Sequence, residues 1–393
     1  MKIVLATPLY PPEIGGPATY VKELAERLAH RTGTAEGLRE EHQVTIVAYA
    51  STAEPIPGVR LITASKRRML PVRLLKFTYL LYKAARGADV LYVQNAVAAG
   101  LPAIVVHKLL GIPVVLKFVG DEAWERATQL RQTTKHLEEF LATPEGSVKI
   151  RMILFLQGWV LRRATAVTTP SAYLADAIAR TYRVPRARLT VNYNAAEKTE
   201  SLPFKGVAAV HQLVTTARLV EWKGVDGIIR AVAILARDFP DVRLLVAGDG
   251  PEEKNLHRLA QELRLDDRVV FLGQVSRAET WHLRNTSQVY VLNSTYEGLP
   301  HTALTSFAAG IPMVATDIPG TNEAVYDRQS GLLVPPGNPE ALAQAIAALF
   351  VDETLRLQLV AGGKKILAEK FSWETHLRTL TKLLQSVCTH PRN

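Results

Sequence analysis

The chain has 393 residues, 48% apolar and 21% charged, with one cysteine, Cys388. These values exclude wholesale disorder, fibrous repeats, a disulfide framework and a cysteine-based metal cluster, and the length suggests about two or three domains. The net charge of +10 is lopsided: residues 1–193 hold 26 Lys+Arg against 15 Asp+Glu, and the remainder holds 21 against 22. The first half therefore expects an anionic partner, either a membrane surface or a phosphate-bearing ligand, and no nucleic acid.

Residues 1–12 (MKIVLATPLYPP) read as a strand running into a Pro-rich turn, without the basic and apolar regions of a signal peptide. The longest apolar stretch, 97–119, is interrupted by His107, Lys108 and Lys117, short of the roughly 18 uncharged apolar residues that span a bilayer. A cytoplasmic protein is expected, soluble or peripheral on the inner face of the cytoplasmic membrane.

Short Val/Ile/Leu-rich runs then alternate with helix-length amphipathic segments, the pattern of parallel βα units. Strands are predicted at 2–6, 43–49, 89–93, 113–118, 164–168 and 189–192, and helices near 17–30, 72–85, 97–110, 121–141, 148–163 and 171–181. Their continuous apolar character suits strands covered on both faces. Within 65–87, Lys66, Arg67, Arg68, Arg73, Lys76, Lys83 and Arg86 surround an apolar stripe. This basic amphipathic segment fits either an anionic leaflet or an ordinary helix packed on the sheet.

The alternation pauses over the polar stretch 194–211 and restarts with strands at 212–217, 242–247, 268–271, 288–292, 313–315 and 331–334. Closing helices are predicted at 339–350, 353–370 and 372–387. The expected organisation is an α/β domain over 1–194, a linker over 195–210 and a second α/β domain over 211–371. A C-terminal helix and tail, 372–393, would pack back on the first domain. Both domains would be doubly wound and Rossmann-like, with a cleft between their strand C-terminal edges, where such sheets bind ligands.

Three constellations lie at those edges. Gly15 and Gly16 precede a helix with Pro17 in its first turn, either a plain strand–helix turn or a place where backbone N–H groups meet an anion. Arg218 and Lys223 follow the second domain's first strand. A cation at a helix start is electrostatically unfavourable unless something anionic compensates, and an Arg fork with a Lys point charge suits a diphosphate. Glu297 sits in a Gly/Pro loop between a strand and a helix, where a carboxylate for sugar hydroxyls would stand beside helix N–H groups.

Taken with TPSAYLADAI (169–178), NAAE (194–197), ARLVEWKG, AGDGPE, FLGQV, YEGLP and GLLVPPGNPEALAQAI, these pieces make the chain resemble a known family over essentially its whole length. It is that of the retaining nucleotide-sugar glycosyltransferases of GT-B fold, the large family numbered 4. The resemblance implies transfer of a hexose-type sugar from a UDP- or GDP-sugar to a lipid-linked or glycan acceptor, with no cofactor and no metal. It implies that Gly15 and Gly16 contact the diphosphate or the sugar and that Arg218 and Lys223 neutralise the diphosphate. Glu297 would contact donor sugar hydroxyls, beside the backbone of Gly298, Leu299 and Pro300. Two positions depart from the family pattern. Thr305 stands where a second Glu would hold the ribose, and Val119 stands about where a His is expected, with Asp121 just after it. Asp121 either supplies a sugar-facing acid or, with Glu122 and Glu125, complements the helix dipole. His301 occupies a position often held by Asn. Two alternatives stay open: a non-catalytic nucleotide-sugar binder, and an epimerase on the same fold.

Overall fold

The computed structural model describes residues 1–13, 16–29, 42–67, 69–196 and 211–389. Gly15, Arg68 and most of the expected linker lie outside them. The first sheet contains β1 (Lys2–Thr7), β2 (Gln43–Tyr49), β3 (Arg60–Ala64), β4 (Val90–Gln94), β5 (Val114–Lys117), β6 (Ala166–Thr169) and β7 (Leu189–Val191). The second contains β8 (Gln212–Thr216), β9 (Arg243–Ala247), β10 (Val269–Gly273), β11 (Val289–Leu292), β12 (Met313–Thr316) and β13 (Leu332–Val334). All named pairs are parallel, in the orders β3-β2-β1-β4-β5-β6-β7 and β10-β9-β8-β11-β12-β13. Each order reverses beside its first strand, so each sheet has a switch point at β1/β4 or β8/β11, where ligands bind in open α/β sheets.

The helices of the first half are α1 (Gly16–Ala29), α2 (Leu70–Ala85), α3 (Gly100–Leu110), α4 (Glu122–Gln129), α5 (Leu137–Ala142), α6 (Val148–Arg163) and α7 (Ala172–Tyr182). Those of the second are α8 (Val225–Leu235), α9 (Glu253–Glu262), α10 (Arg277–Thr286), α11 (His301–Ala309), α12 (Pro339–Val351), α13 (Glu353–Lys370) and α14 (Trp373–Thr389). Alternate residues of β1 enter different cores. Val4 and Ala6 meet Phe77, Ile104 and Val160 on one face, and Ile3 and Leu5 meet Leu24, Leu377 and Leu380 on the other. The last helix, α14, is thus built into the first domain's core, covering the sheet beside α1. Apolar burial on both faces is why these strands read as unbroken hydrophobic runs.

Two expectations need correction. The single helix expected over 121–141 is two, α4 and α5. Arg131 adopts a left-handed φ of 53° between them, and the Trp124 indole N–H donates to Lys135 O at 2.9 Å. An edge strand, β3, also appears where none was expected. Its sequence RLITA is only partly buried, so it carries neither an unbroken apolar run nor a clean alternation.

Candidate functional site

On the second domain, the chain leaves β8 at Thr216, passes Arg218, and makes a short 3-10 turn over Glu221–Lys223 before α8 begins. Gly224 ends that turn with φ of 60°, and a Cβ there would run into Asn293 O. Glycine therefore lets the turn lie directly on the loop after β11, where Asn293 Nδ2 donates to Gly224 O at 2.8 Å. This close approach brings Lys223 to Glu297, with Nζ 2.5 Å from Oε1. Ser294 Oγ donates to the same oxygen at 2.7 Å. Glu297 is only 8% exposed. Arg218 is exposed, and no ion pair among the described residues involves it. A buried carboxylate, its ammonium partner and an open guanidinium thus stand together at the second sheet's switch point.

Gly298, next in the loop, approaches the first domain: a Cβ on it would strike Val119 O and Leu174 Cδ1. Leu299 is buried and Pro300 is the N-cap of α11, with no side chain capping the helix. The aromatic rings of Trp124, Trp222 and Tyr296 meet across the same gap, Trp124 lying 5.3 and 4.5 Å from the other two centroids. Farther along, Glu323 accepts from the backbone N–H of both Ala172 and Tyr173 at 2.8 Å, completing the start of α7 from the other domain. The two strand-end edges therefore face one another across a central cleft.

The first domain contributes differently from expectation. Gly16 opens α1, and nothing among the described residues lies within 4 Å of where a Cβ would stand; Gly15 lies outside the described residues. Of the two readings of Asp121, the structure shows the helix-start acid and not the cleft-facing one: it is the buried N-cap of α4, 1% exposed. Its Oδ1 accepts from Trp124 N at 3.0 Å, and its Oδ2 accepts from Gln157 Nε2 at 2.7 Å and from the Tyr182 hydroxyl. Burial raises its pKa against those hydrogen bonds. With both oxygens engaged inside the first domain and 1% of the residue exposed, Asp121 shapes α4 and presents almost no surface to a substrate. Thr305 is similarly occupied, donating into its own helix at Thr302 O (3.0 Å) and His301 O (3.2 Å). His301 Nε2 lies 3.2 Å from Ala195 O, joining α11 to the crossover between domains.

Two groups here carry no sequence signal of their importance. Glu125 is half-buried and ringed by protein. Its pKa is pushed up to about 7, first by burial and then by Asp121 and Glu122, against the pull of Lys223 and Arg218. Lys223 and Arg218 of the second domain thus act on this first-domain carboxylate. Lys117, 5% exposed at the end of β5, donates to Asn194 Oδ1 at 2.9 Å and lies 3.4 Å above the Tyr20 ring centroid. Burial pushes its pKa down to about 7. Below pH 7 the folded protein carries the full cost of this buried charge. Between about 7 and the unfolded value of 10.5 the unfolded chain binds the extra proton, so stability rises with pH. Lys117→Met should therefore raise Tm at pH 6 and have little effect near pH 10, which thermal melts at the two pH values check.

Two doubly wound parallel domains that face each other at their strand ends are the GT-B fold of glycosyltransferases. Residues 15–195 match the model of the Glycosyl transferase 4-like domain, and residues 209–366 match that of Glycosyl transferases group 1. These matches support a glycosyltransferase of group 1. The lipopolysaccharide core biosynthesis glycosyltransferase LpsE of Rhizobium meliloti (strain 1021) is 36% identical over 174 residues, 44% of this chain and 49% of that one. The chain thus spans about half of LpsE. It spans 95% of the uncharacterized glycosyltransferase MJ1607 of Methanocaldococcus jannaschii, at 26% identity and 95% coverage of this chain. Among solved structures, Anabaena HepE in complex with UDP has a TM-score of 0.73 at 19% identity, covering 98% of this chain and all of that one. Sucrose-phosphate synthase from Thermosynechococcus elongatus scores 0.79 at 20% identity, covering 99% of this chain and 100% of that one. At these identities the likeness is one of fold.

Proposed function

We propose that this protein moves a hexose-type sugar from a UDP- or GDP-sugar to an acceptor hydroxyl, with retention of anomeric configuration and without a metal ion. The acceptor is lipid-linked or a glycan intermediate, carried at an anionic membrane surface during glycolipid, polysaccharide or cell-envelope glycan synthesis. The observation that carries this reading is the pairing of Lys223 with the buried Glu297 beside the open Arg218, at the switch point facing the first domain. A nucleoside diphosphate leaving group needs fixed positive charge as its bond to the sugar breaks, and preorganised cations and helix N–H groups supply it. Arrival of the diphosphate competes for the Lys223 ammonium and frees Glu297 Oε1 for a sugar hydroxyl. LpsE acts in lipopolysaccharide core biosynthesis, and HepE also has a solved complex with UDP-glucose, which supports the donor class and the setting.

The test is release of UDP or GDP from a panel of sugar nucleotides with no acceptor, water taking the acceptor's place. Turnover of any donor supports transfer chemistry. Binding without release favours a non-catalytic nucleotide-sugar binder, a second reading motivated by Thr305 and Asp121, whose polar atoms are engaged within their own domains. Absence of both contradicts the proposal. If the ribose lies beside α11, Thr305→Glu should tighten UDP binding roughly tenfold, because a carboxylate accepts charge-assisted bonds that the inward-donating hydroxyl does not. Unchanged affinity by calorimetry would place the ribose elsewhere.

A further inference from the structure

We infer that the outer face formed together by α2, α3 and α6 docks on an anionic phospholipid bilayer. The three helices lie side by side on one face of the first sheet and share its core through Phe77, Leu81, Ile104, Val106, Val160 and Leu161. With those residues turned inward, the opposite sides should be polar. They are not. Of the 16 large apolar side chains exposed among the described residues, ten belong to these helices or to Met69, the N-cap of α2. Leu75 is 71% exposed, Leu109 66% and Phe155 61%. Monomeric proteins rarely leave so concentrated an apolar surface in water.

Charge selects the partner. The 43 residues of the three helices include eight Lys or Arg and no Asp or Glu. No ion pair among the described residues involves Lys76, Lys83, Lys108, Lys149, Arg151 or Arg163. Two aromatic rings sit among these cations. Trp159 of α6 has Arg163 at 4.2 Å and Lys108 of α3 at 5.6 Å from its ring centroid, and Tyr79 has Lys83 at 4.6 Å. Amphipathic rings flanked by long basic side chains are the residues that settle at a membrane–water boundary. A second copy of this face would set like charge against like, so self-association through it is disfavoured. In parallel βα units each helix starts at the C-terminal edge of the sheet. Leu70 and Val72 of α2 and Val148 and Met152 of α6 therefore lie toward the cleft, where a head group held at the bilayer meets the site. The docking face stands on these side chains alone; its link to an acceptor rests on the proposed transfer reaction.

The test is co-sedimentation of the whole chain with vesicles of equal parts phosphatidylglycerol and phosphatidylcholine, against phosphatidylcholine alone. Binding to the anionic vesicles at low salt is expected, with release at 1 M salt, where the Debye length is about 3 Å. The discriminating variants are on α6. Met152→Ser with Phe155→Ser should weaken partitioning by about tenfold. Lys149→Glu with Arg151→Glu should weaken it by at least roughly fivefold for each cation removed, and this pair tests the same face if the first misfolds. No binding, equal binding to neutral vesicles, or indifference to both α6 pairs overturns the inference, as does a dimer that protects Phe155. UDP and GDP binding measured without vesicles reports separately on the donor site, so failure of one does not imply failure of the other.

Discussion

Replacing Arg218 with alanine should lower kcat/KM by about a hundred- to a thousandfold, about 2.7–4 kcal/mol of transition-state stabilisation, with Tm unchanged. The magnitude is that of losing one preorganised partner of a developing negative charge. Stability holds because Arg218 is exposed and enters no ion pair among the described residues. Lys223→Ala should show the same kinetic loss together with a lower Tm. Its removal leaves the Glu297 carboxylate, with a side chain only 10% exposed, without its countercharge, and an unpaired charge in such a place is costly. Donor hydrolysis and thermal melts on both variants separate the two effects. Wild-type turnover in both would remove the diphosphate clamp from the mechanism.

Glu297→Gln should act in opposite senses on binding and catalysis. The neutral amide releases Lys223 from its 2.5 Å ion pair, so nucleoside diphosphate affinity is retained or increased. Turnover should fall by at least about tenfold if Glu297 holds the sugar as proposed, because contacts to the sugar count chiefly as the sugar approaches the transition state. Calorimetry with the nucleotide alone and single-turnover kinetics with the sugar nucleotide report the two quantities independently. Lost nucleotide affinity with an intact rate would assign Glu297 to the phosphates instead.

The strands were legible because both faces of each sheet are covered, which turns every central strand into an apolar run; β3 escaped because it lies at an edge with mixed burial. Lys223 and Glu297 could be placed near one another because each follows a strand end on the same edge, and strand ends are visible in sequence. Asp121 could not be resolved. The groups that engage it, Gln157 and Tyr182, are 36 and 61 residues away, and nothing local says that they converge. Glu125 and Lys117 show the same limit. Their identities are plain, but what shifts their titration is burial, a property of the packed chain. The docking face is a further case: the basic character of α2 can be read directly, whereas its continuation through α3 and α6 exists only once the helices lie side by side.

The most direct measurement on the donor site is calorimetric titration of UDP and GDP into the wild-type protein and into Arg218→Ala. One of the two nucleotides should bind the wild type and bind the variant at least tenfold more weakly, since a charge-assisted contact to the diphosphate is lost. Equal affinity for wild type and variant, or no binding of either nucleotide to the wild type, contradicts the placement of a nucleoside diphosphate against Arg218 and Lys223.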